Sequence, residues 1–527
     1  MTEAQKQELK KRLWAVANIL RGRMDADEYR DYILGFIFYK HLSEKIEDYA
    51  NKLLRKDKLA FTEIKERTAD GKAYLKALEK NTVEGIGYFL PPSRLFKTMA
   101  ERSGLEKDPK SFILDDLGKV FETIEKSARG TDSEGDFDQL FEDIVLDNSR
   151  LGRDPKMRND IIGRILRELN GISFRQNEAS GDILGDAYEY LIGEFAAAAG
   201  KKAGEFYTPQ EVSTVLTRLV CSANGGVKKR LKSVYDPTCG SGSLLLRFGR
   251  EVNEVGQYYG QEMNRTTYNL ARMNMILHDV SYRDFNLHCD DVIRHPAQEY
   301  FDERFEAVVA NPPFSAKWSP SQVFKNDDRF SSFDLPPASK ADYCFVLHML
   351  HHLADRGIMA VILPHGALFR GASEGRIRTQ LIEQKNWLDA VIGLPANVFY
   401  GTSIPVCLLV FKKCREAEDD ILFIDASQGF EKVRNRNILR DADVDRIVDA
   451  YRDRKARKRF ARPVPLKEVA ANDFNLNIPR YIDTSEPEEE IDLKATAQDL
   501  KRIDKDLQNN AKEIAAFCKE LGIAPPV

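Results

Sequence analysis

The sequence predicts an α/β fold, with a doubly wound parallel sheet between an all-α N-terminal domain and a helical C-terminal tail. From about residue 230, short apolar segments alternate with helical segments, which is the pattern of successive βα units. Earlier residues follow helical spacing, and the C-terminal residues repeat apolar positions every seven residues. We therefore predict three parts, residues 1–165, 166–480 and 481–527.

The N-terminal part is predicted to be a helical recognition or docking domain without a catalytic signature. Leu9, Leu13, Val16 and Leu20 keep the three- and four-residue spacing of one helix face. Further helices are predicted at 29–46, 112–128 and 137–148.

The central part is predicted to contain about seven strands separated by helices. The predicted strands are 232–235, 257–260, 284–288, 306–310, 358–363, 388–394 and 406–411. A helix at 183–195 and a turn at 204–209 precede them, and a helix at 244–252 follows the first strand.

The tail is predicted to be one long helix after a Pro/Glu-rich linker at 485–490. Its heptad positions are Leu493, Leu500, Leu507, Ile514 and Leu521. This pattern indicates a coiled coil or a helix-bundle partner, and packing on the N-terminal helices is an equally good alternative.

The composition is that of a soluble globular protein, with 527 residues of which 43% are hydrophobic and 31% charged. The seven cysteines have no paired spacing, which indicates a reducing, cytoplasmic environment and argues against a zinc module. No membrane-spanning run and no apolar signal segment are expected. A net charge of −4 does not indicate nucleic-acid binding, so any basic surface must be local or come from a partner.

The strand at 306–310 ends abruptly at Asn311-Pro312-Pro313-Phe314, because prolines cannot donate ladder hydrogen bonds. A carboxamide, a carbonyl and an aromatic ring are thus presented together at a strand's carboxyl end. Open α/β sheets bind ligands at that edge. Taken alone, the segment is more typical of an ordinary tight loop than of a ligand site. The residues upstream of it therefore have to decide between a tight loop and a ligand site.

A glycine-containing turn follows the first predicted strand, with Asp236, Gly240, Ser241 and Gly242. Its glycines let a ligand approach the backbone, and the next helix offers free N–H groups. The turn is not the dinucleotide fingerprint, because Leu245 stands where a third glycine is required. It is not a phosphate loop either, and its acid suits a cationic ligand.

Acids also follow the second and third predicted strands. Glu262 stands where an acid of a βαβ unit accepts both ribose hydroxyls. Asp290 is placed to accept an adenine amino hydrogen. Each acid alone is typical of a loop or a helix N-cap. Three successive predicted strands end in an acid, and the fourth ends at Asn311. This arrangement predicts a site for an adenosine-bearing cation beside a site for a planar base. S-adenosylmethionine fits the first of these two sites.

The base site must activate an exocyclic amine, whose lone pair is delocalised into the ring. Hydrogen bonds to the Asn311 side-chain oxygen and the Pro312 carbonyl would favour a pyramidal nitrogen and direct its lone pair at the sulfonium methyl. The base must be flipped out of the duplex, and Phe314 offers a stacking surface. No suitably placed cysteine nucleophile supports attack at cytosine C5.

At this point the sequence resembles the amino-group DNA methyltransferases, and more specifically the modification (HsdM) subunits of type I restriction-modification systems. The three core motifs occur in that family's order at 204–209, 236–242 and 311–314. Supporting segments lie at 339–343, 369–374, 392–395 and 399–402. The resemblance covers nearly the whole chain and implies a Rossmann-like, S-adenosylmethionine-dependent methyltransferase domain at 166–480.

The resemblance also implies residue roles. The segment closing over the methionine part of the cofactor would be Glu205, Phe206, Tyr207, Thr208, Pro209 and Gln210. Gly240, Ser241 and Gly242 would lie against the cofactor, with Glu262 on the ribose and Asp290 on the adenine. Asn311, Pro312 and Phe314 would handle the target adenine. Asp291 beside Asp290 departs from the family's more usual Gly-Asp.

Partners are implied as well. Too few residues follow the sheet, which ends near residue 425, for a target-recognition domain of typical size. In the family a specificity subunit reads the DNA sequence, with two modification subunits per specificity subunit, and restriction subunits join the larger complex. The substrate would be double-stranded DNA, and the heptad tail would be a natural docking element.

Three other features have competing interpretations. His348, His351 and His352 share a helical face, but no acid or cysteine accompanies them, which disfavours a metal site. The loop 315–340 is either a DNA-facing lid or an ordinary insertion. The basic run 451–462 is either a phosphate contact or, as we expect, a solvated helix.

The main hypothesis is a site-specific DNA adenine-N6 methyltransferase subunit that is active only within a complex. One alternative keeps the chemistry but changes the substrate to cytosine N4, RNA or a protein glutamine. Another is a non-enzymatic scaffold that has kept the fold, against which the intact acids and Asn311–Phe314 argue.

Overall fold

A computed structural model describes residues 3–105, 111–172, 188, 191–192, 208–223, 226–400, 402–416, 420–433, 436–484 and 492–526. The chain forms two compact units, Met1–Ile482 and Asp483–Val527. Among the described residues, no helix is both long and apolar enough to cross a bilayer.

The N-terminal part of the first unit is helical, as predicted. Its helices are α1 (Glu3–Leu20), α2 (Ala26–Leu54), α3 (Ala69–Ile86), α4 (Phe96–Ser103), α5 (Leu114–Ala128), α6 (Glu134–Phe137) and α7 (Pro155–Asn170). They pack through buried apolar faces, and the Phe121 and Phe141 rings stack with centroids 4.4 Å apart. Burial of a side chain of this size contributes roughly 1.5–3 kcal/mol.

The predicted helix at 137–148 is wrong. The α6 helix ends at Phe137, and turns follow, with Gln139 at a positive φ of 52°. The carbonyls of Gly135 and Asp138 accept hydrogen bonds of 2.9 Å from the Arg272 guanidinium. A distant arginine therefore satisfies backbone groups that a continuous helix would have paired internally.

The central sheet has nine strands, including all seven that the sequence predicts. They are β1 (Arg230–Asp236), β2 (Glu254–Gln261), β3 (Phe285–His288), β4 (Phe305–Ala310), β5 (Leu353–Pro364), β6 (Leu388–Gly393), β7 (Val406–Lys412), β8 (Ile421–Asp425) and β9 (Ala461–Val464). Their order in the sheet is β9-β8-β6-β7-β5-β4-β1-β2-β3. Within it, β7 and β9 run antiparallel to their neighbours, and the other pairs are parallel.

Helices cover both faces of this sheet. They are α8 (Gln210–Cys221), α9 (Ser243–Glu251), α10 (Arg265–Leu277), α11 (Asp342–His352), α12 (Ala372–Thr379), α13 (Asp441–Asp453) and α14 (Leu466–Ala471). Alternate residues of β4 belong to different cores: Ala307 and Val309 to one, Val308 and Ala310 to the other. The predicted α/β fold is thereby confirmed, but the sheet is mixed and not parallel throughout, because β7 and β9 run antiparallel to their neighbours.

The basic run at 451–462 is not a solvated helix. The α13 helix ends at Asp453, and the chain then turns into the edge strand β9. Within the run, Arg454 pairs with Asp389 and Asp420. Part of the charge therefore serves tertiary ion pairs.

The second unit contains one long helix, α15 (Leu493–Glu520), as predicted. Its heptad residues are exposed, from 40% for Ile514 to 77% for Leu493. A row of exposed apolar side chains on a single helix suits burial against a partner helix.

Candidate active site

Four predicted site residues lie at the carboxyl ends of four adjacent strands. The sheet order β4-β1-β2-β3 places Asn311, Asp236, Glu262 and Asp290 side by side. Neighbouring strands lie about 4.8 Å apart, so these four strand ends span roughly 15 Å. Chain order alone would have put Asn311 after Asp290, whereas the crossover puts it next to Asp236.

Asn311 is held by the segment that the sequence assigns to cofactor closure. Its Nδ2 donates a hydrogen bond of 3.1 Å to Thr208 Oγ1, and both side chains are buried. Thr208 directly precedes Pro209, the N-cap residue of α8, which begins at Gln210. One pocket is lined by Thr208, Asp236, Thr238, Cys239, Gly240, Ser241, Ser243, Leu244 and Asn311.

The glycine turn has the backbone conformation that its sequence suggests. Gly240 and Gly242 have φ values of +56° and +77°, in the left-handed region that favours glycine. Gly242 is the N-cap of α9. Asn274, fully buried on α10, donates a hydrogen bond of 2.9 Å to the Ser241 carbonyl and fixes the turn from behind.

Asp236 is a buried acid at the floor of this pocket. Burial raises the pKa of its carboxyl group to about 7, despite hydrogen bonds from the Thr238 backbone and hydroxyl. The negative charge of Glu262 adds to the shift. A carboxylate that is destabilised in this way gains from a nearby cation.

Glu262 connects the second strand end to the glycine turn. One of its oxygens accepts the Gly240 N–H at 3.1 Å, and the other accepts the Asn264 N–H at 2.8 Å. Burial raises the pKa of this carboxyl group, although these backbone bonds oppose the shift. Each oxygen retains further acceptor capacity, as ribose hydroxyls would require.

Asp290 lies outside the lining of that pocket, and its side chain is 45% exposed. Partial burial tends to raise the pKa of Asp290, but hydrogen bonds from the Asp291 N–H and from His295 outweigh it and lower this pKa. The carboxylate of the next residue, Asp291, accepts a hydrogen bond of 3.0 Å from the Ile293 N–H in the following turn. Asp291 is thus a turn cap, and its side chain is less exposed than that of Asp290, at 33% against 45%.

Phe314 is half-buried beside the turn, and Pro312 before it is buried. The Phe314 ring meets Phe399 edge to face, with centroids 5.7 Å apart and planes at 85°. Ser315, the next residue, has a positive φ of 54°. Glu205, Phe206 and Tyr207 lie outside the described residues.

The three histidines on α11 make local structural contacts. His348 lies between Tyr235 Oη at 2.8 Å and Arg329 Nη1 at 3.0 Å, and burial holds its pKa well below the usual value. His352 Nδ1 lies 3.2 Å from the Glu303 carbonyl oxygen.

The loop 315–340 is folded against the domain. Buried Arg329 donates to the Val292 and Ile293 carbonyls at 2.8 Å and pairs with Asp327. The Trp318 ring packs on Phe324. The loop is therefore anchored to the segment that follows Asp290, and its role as a DNA-facing lid stays a prediction.

Two residues at the site were not identified from the sequence. Phe399 meets Phe314 from the loop before β7, and Asn274 supports Ser241 from the far end of α10. Neither has a local motif that marks it. Phe399 does lie in the segment 399–402 that supports the family resemblance, and that segment is the only signal in the sequence.

Comparison with known families gives two matches that together cover most of the chain. Residues 179–490 match the N-6 DNA Methylase family, and residues 9–169 match the HsdM N-terminal domain. The first match alone covers more than half of the chain.

Comparison with individual proteins agrees with these family matches. The MpnII methylase subunit of a type I restriction enzyme from Mycoplasma pneumoniae is 35% identical over 97% of this chain and 96% of its own length. The methyltransferase subunit of a type I restriction-modification system from Streptococcus thermophilus is 40% identical, with a TM-score of 0.79 over 90% of this chain and 99% of its own. A modification subunit from Vibrio vulnificus shares the fold, with 19% identity and a TM-score of 0.59. The chain therefore belongs to the N-6 DNA methylase family, among the methylase subunits of type I restriction enzymes.

Proposed function

We propose that this chain transfers a methyl group from S-adenosylmethionine to the N6 amino group of adenine in double-stranded DNA. It would act as the modification subunit of a complex in which a separate specificity subunit selects the sequence. The observation that carries the proposal is the adjacency of Asn311 and Asp236, which line one pocket at neighbouring strand ends.

The residues present fit the cofactor. S-adenosylmethionine supplies an electrophilic methyl group on a sulfonium centre. Asp236 is a buried acid that a cation would stabilise, and Glu262 has acceptor capacity for ribose hydroxyls. Gly240 lines the pocket without a side chain and so leaves the backbone open to close approach. Asp290, beyond this pocket, would accept from the adenine ring of the cofactor.

The target base would be bound by the turn after β4. Thr208 holds the nitrogen of the Asn311 carboxamide, which orients its oxygen for a hydrogen bond from the target amine. The Pro312 carbonyl would accept the second amine hydrogen. The target nitrogen would then form the new bond to carbon as the bond from sulfur breaks, and its extra proton would pass to water. The rate gain comes from positioning and preorganised dipoles.

The flipped base would stack on Phe314. Phe399 meets this ring edge to face, so the orientation of Phe314 is already set before DNA arrives. Preorganisation of this kind lowers the ordering cost of base capture.

Sequence recognition would come from the specificity subunit, bound by two copies of this chain, and restriction subunits would join the larger complex. The exposed heptad residues of α15 would bury against that partner, because burial removes the apolar seam of this helix from water. The relatives named above are subunits of such enzymes, which supports this assignment.

The test is methylation of DNA by the full chain with and without its specificity subunit, followed by mass spectrometry of the nucleosides. We expect N6-methyladenine, formed only when both chains are present. N4-methylcytosine, or methylation of RNA or protein, would replace the proposed substrate with another. Failure of the chain to bind S-adenosylmethionine by calorimetry would support a non-enzymatic scaffold.

A further inference from the structure

The turn that carries Phe314 is held in place by a buried acid from another part of the chain. Asp342, at the start of α11, is 1% exposed. Its Oδ1 accepts the Ser315 N–H at 2.8 Å. This bond fixes the peptide plane between Phe314 and Ser315, and therefore the backbone from which the Phe314 side chain projects.

Ser315 needs such a restraint. Its φ of 54° lies in the left-handed region, which is disfavoured for a residue other than glycine. Conformations of this kind persist only where the surroundings over-determine them. Asp342 provides the hydrogen bond that selects this conformation.

Asp342 is itself oriented by Arg370. The Arg370 Nη2 donates to the second oxygen of Asp342 at 2.6 Å, and its Nε lies 3.3 Å from Glu374 Oε2. Both carboxylates are almost fully buried, and a single guanidinium lies within ion-pair distance of both. The planar guanidinium directs its Nη2 donor at Asp342 while its Nε faces Glu374, a fixed arrangement that a lysine ammonium cannot reproduce.

The loop that carries Arg370 is braced independently. Arg378 on α12 donates to the Arg370 carbonyl at 2.7 Å, and the Tyr343 hydroxyl on α11 donates to the Ala367 carbonyl at 2.8 Å. Arg370 therefore approaches Asp342 from a fixed position.

We propose that Asp342 is a positioning residue for the target-base site and that Arg370 acts through it, so that this pair sets the orientation of Phe314 for stacking. The proposal rests on the function proposed above and deepens it. Neither residue is expected to touch the cofactor or the base. Loss of the pair should slow methyl transfer and leave cofactor binding intact.

The experiment uses the complex of the full chain with its specificity subunit, with Asp342→Asn, Arg370→Lys, the double variant, and Asp328→Asn as a control acid exposed in the loop 315–340. Methyl transfer gives kcat and the KM for S-adenosylmethionine, and calorimetry gives the cofactor Kd. We expect each single variant to lower kcat tenfold or more while KM and Kd stay within twofold of wild type. We expect the double variant to be no slower than the slower single variant, because the two residues act as one unit.

A kcat within twofold of wild type for Asp342→Asn would overturn the inference and leave the proposed function intact. A parallel loss of thermal stability and cofactor affinity in both single variants would also overturn it, because the pair would then hold the fold and not the turn. Lack of methyl transfer by the wild-type complex would overturn the proposed function, and this inference with it.

Discussion

Asn311 Nδ2 donates a hydrogen bond of 3.1 Å to Thr208 Oγ1. The two residues are far apart in the chain, and each belongs to a separate motif of the sequence. The bond joins the segment assigned to cofactor closure to the segment assigned to the target base. It also orients the carboxamide, so that its oxygen is directed by a contact made before any substrate binds.

The first prediction concerns this bond. Thr208→Val keeps the shape of the side chain and removes the acceptor, so kcat should fall about fivefold, the equivalent of one neutral hydrogen bond of ~1 kcal/mol. Methyl transfer by the complex measures it. Thr214→Val is the matched control, because Thr214 donates to the Gln210 carbonyl on the same helix. Equal losses in both variants would mean that the effect belongs to α8 and not to Asn311.

The second prediction is a pH dependence of cofactor binding. The pKa of Asp236 is about 7 in the folded protein, and a bound cation favours the ionised form. Binding therefore releases a proton, and affinity should be about fivefold lower at pH 6 than at pH 7. Calorimetry at the two pH values measures this. Asp236→Asn should bind more weakly and lose the dependence, and an unchanged dependence in that variant would assign it to another group.

The same shift affects stability. Because folding raises the pKa of Asp236 above its ordinary value, the protonated form is favoured in the folded state. The contribution of Asp236 to the free energy of unfolding is fully present below pH 4 and is lost as the pH rises through about 7. Denaturant unfolding of wild type and Asp236→Asn should therefore diverge between these pH values, with the variant relatively more stable at pH 8. Parallel curves would contradict this.

The third prediction concerns the backbone conformation of the turn at Gly242. Gly242 and Gly130 have nearly equal φ values, +77° and +75°. Alanine at either position should lower the free energy of unfolding by about 1 kcal/mol. A Cβ at Gly242 would meet protein atoms no closer than 3.4 Å, so the protein itself can accommodate it. Only Gly242→Ala should weaken cofactor binding, because strain in this turn would displace the adjacent pocket residues Ser241 and Ser243. Unchanged binding would remove the glycine turn from the cofactor site.

The fourth prediction concerns α15. Leu500 and Leu507 are 59% and 60% exposed on the heptad seam. Replacing both with serine should weaken binding of the specificity subunit at least about a hundredfold, since each buried leucine contributes roughly 1.5–3 kcal/mol and the pair roughly 3–6 kcal/mol. The control is the pair Lys501→Ser and Lys505→Ser, which lies off the seam. Binding of the cofactor should be unaffected in both double variants, and full partner binding by the leucine variant would exclude the seam as the interface.

The sequence predicted seven of the nine strands of the sheet and missed β8, although Ile421–Ile424 is a buried apolar run. It did not predict β9, which has four residues and includes Pro463. Such a strand is stable only at an edge of the sheet, and sequence alone does not show which strand is at the edge. The helix predicted at 137–148 is wrong for a related reason, since the segment forms turns in which the Asp138 carbonyl accepts from the Arg272 guanidinium, a contact far along the chain.

At the site, the acids at the strand ends were predictable because each follows an apolar run. Which of these residues lie next to each other was not predictable, because it depends on the order of the strands in the sheet. Asn311 lies beside Asp236 only because β4 pairs with β1. Phe399 and Asp342 reach the Phe314 turn through tertiary contacts. Both residues lie in segments that support the family resemblance, 399–402 and 339–343, but those segments do not show which residues they contact.

The most direct test of the central claim is methyl transfer by the complex that carries Asn311→Ala. The account predicts that the chain still binds S-adenosylmethionine with near wild-type affinity, measured by calorimetry, while N6-methyladenine formation falls at least a hundredfold, because the variant loses the acceptor that orients the amine. Wild-type rates of adenine methylation in this variant would contradict the account.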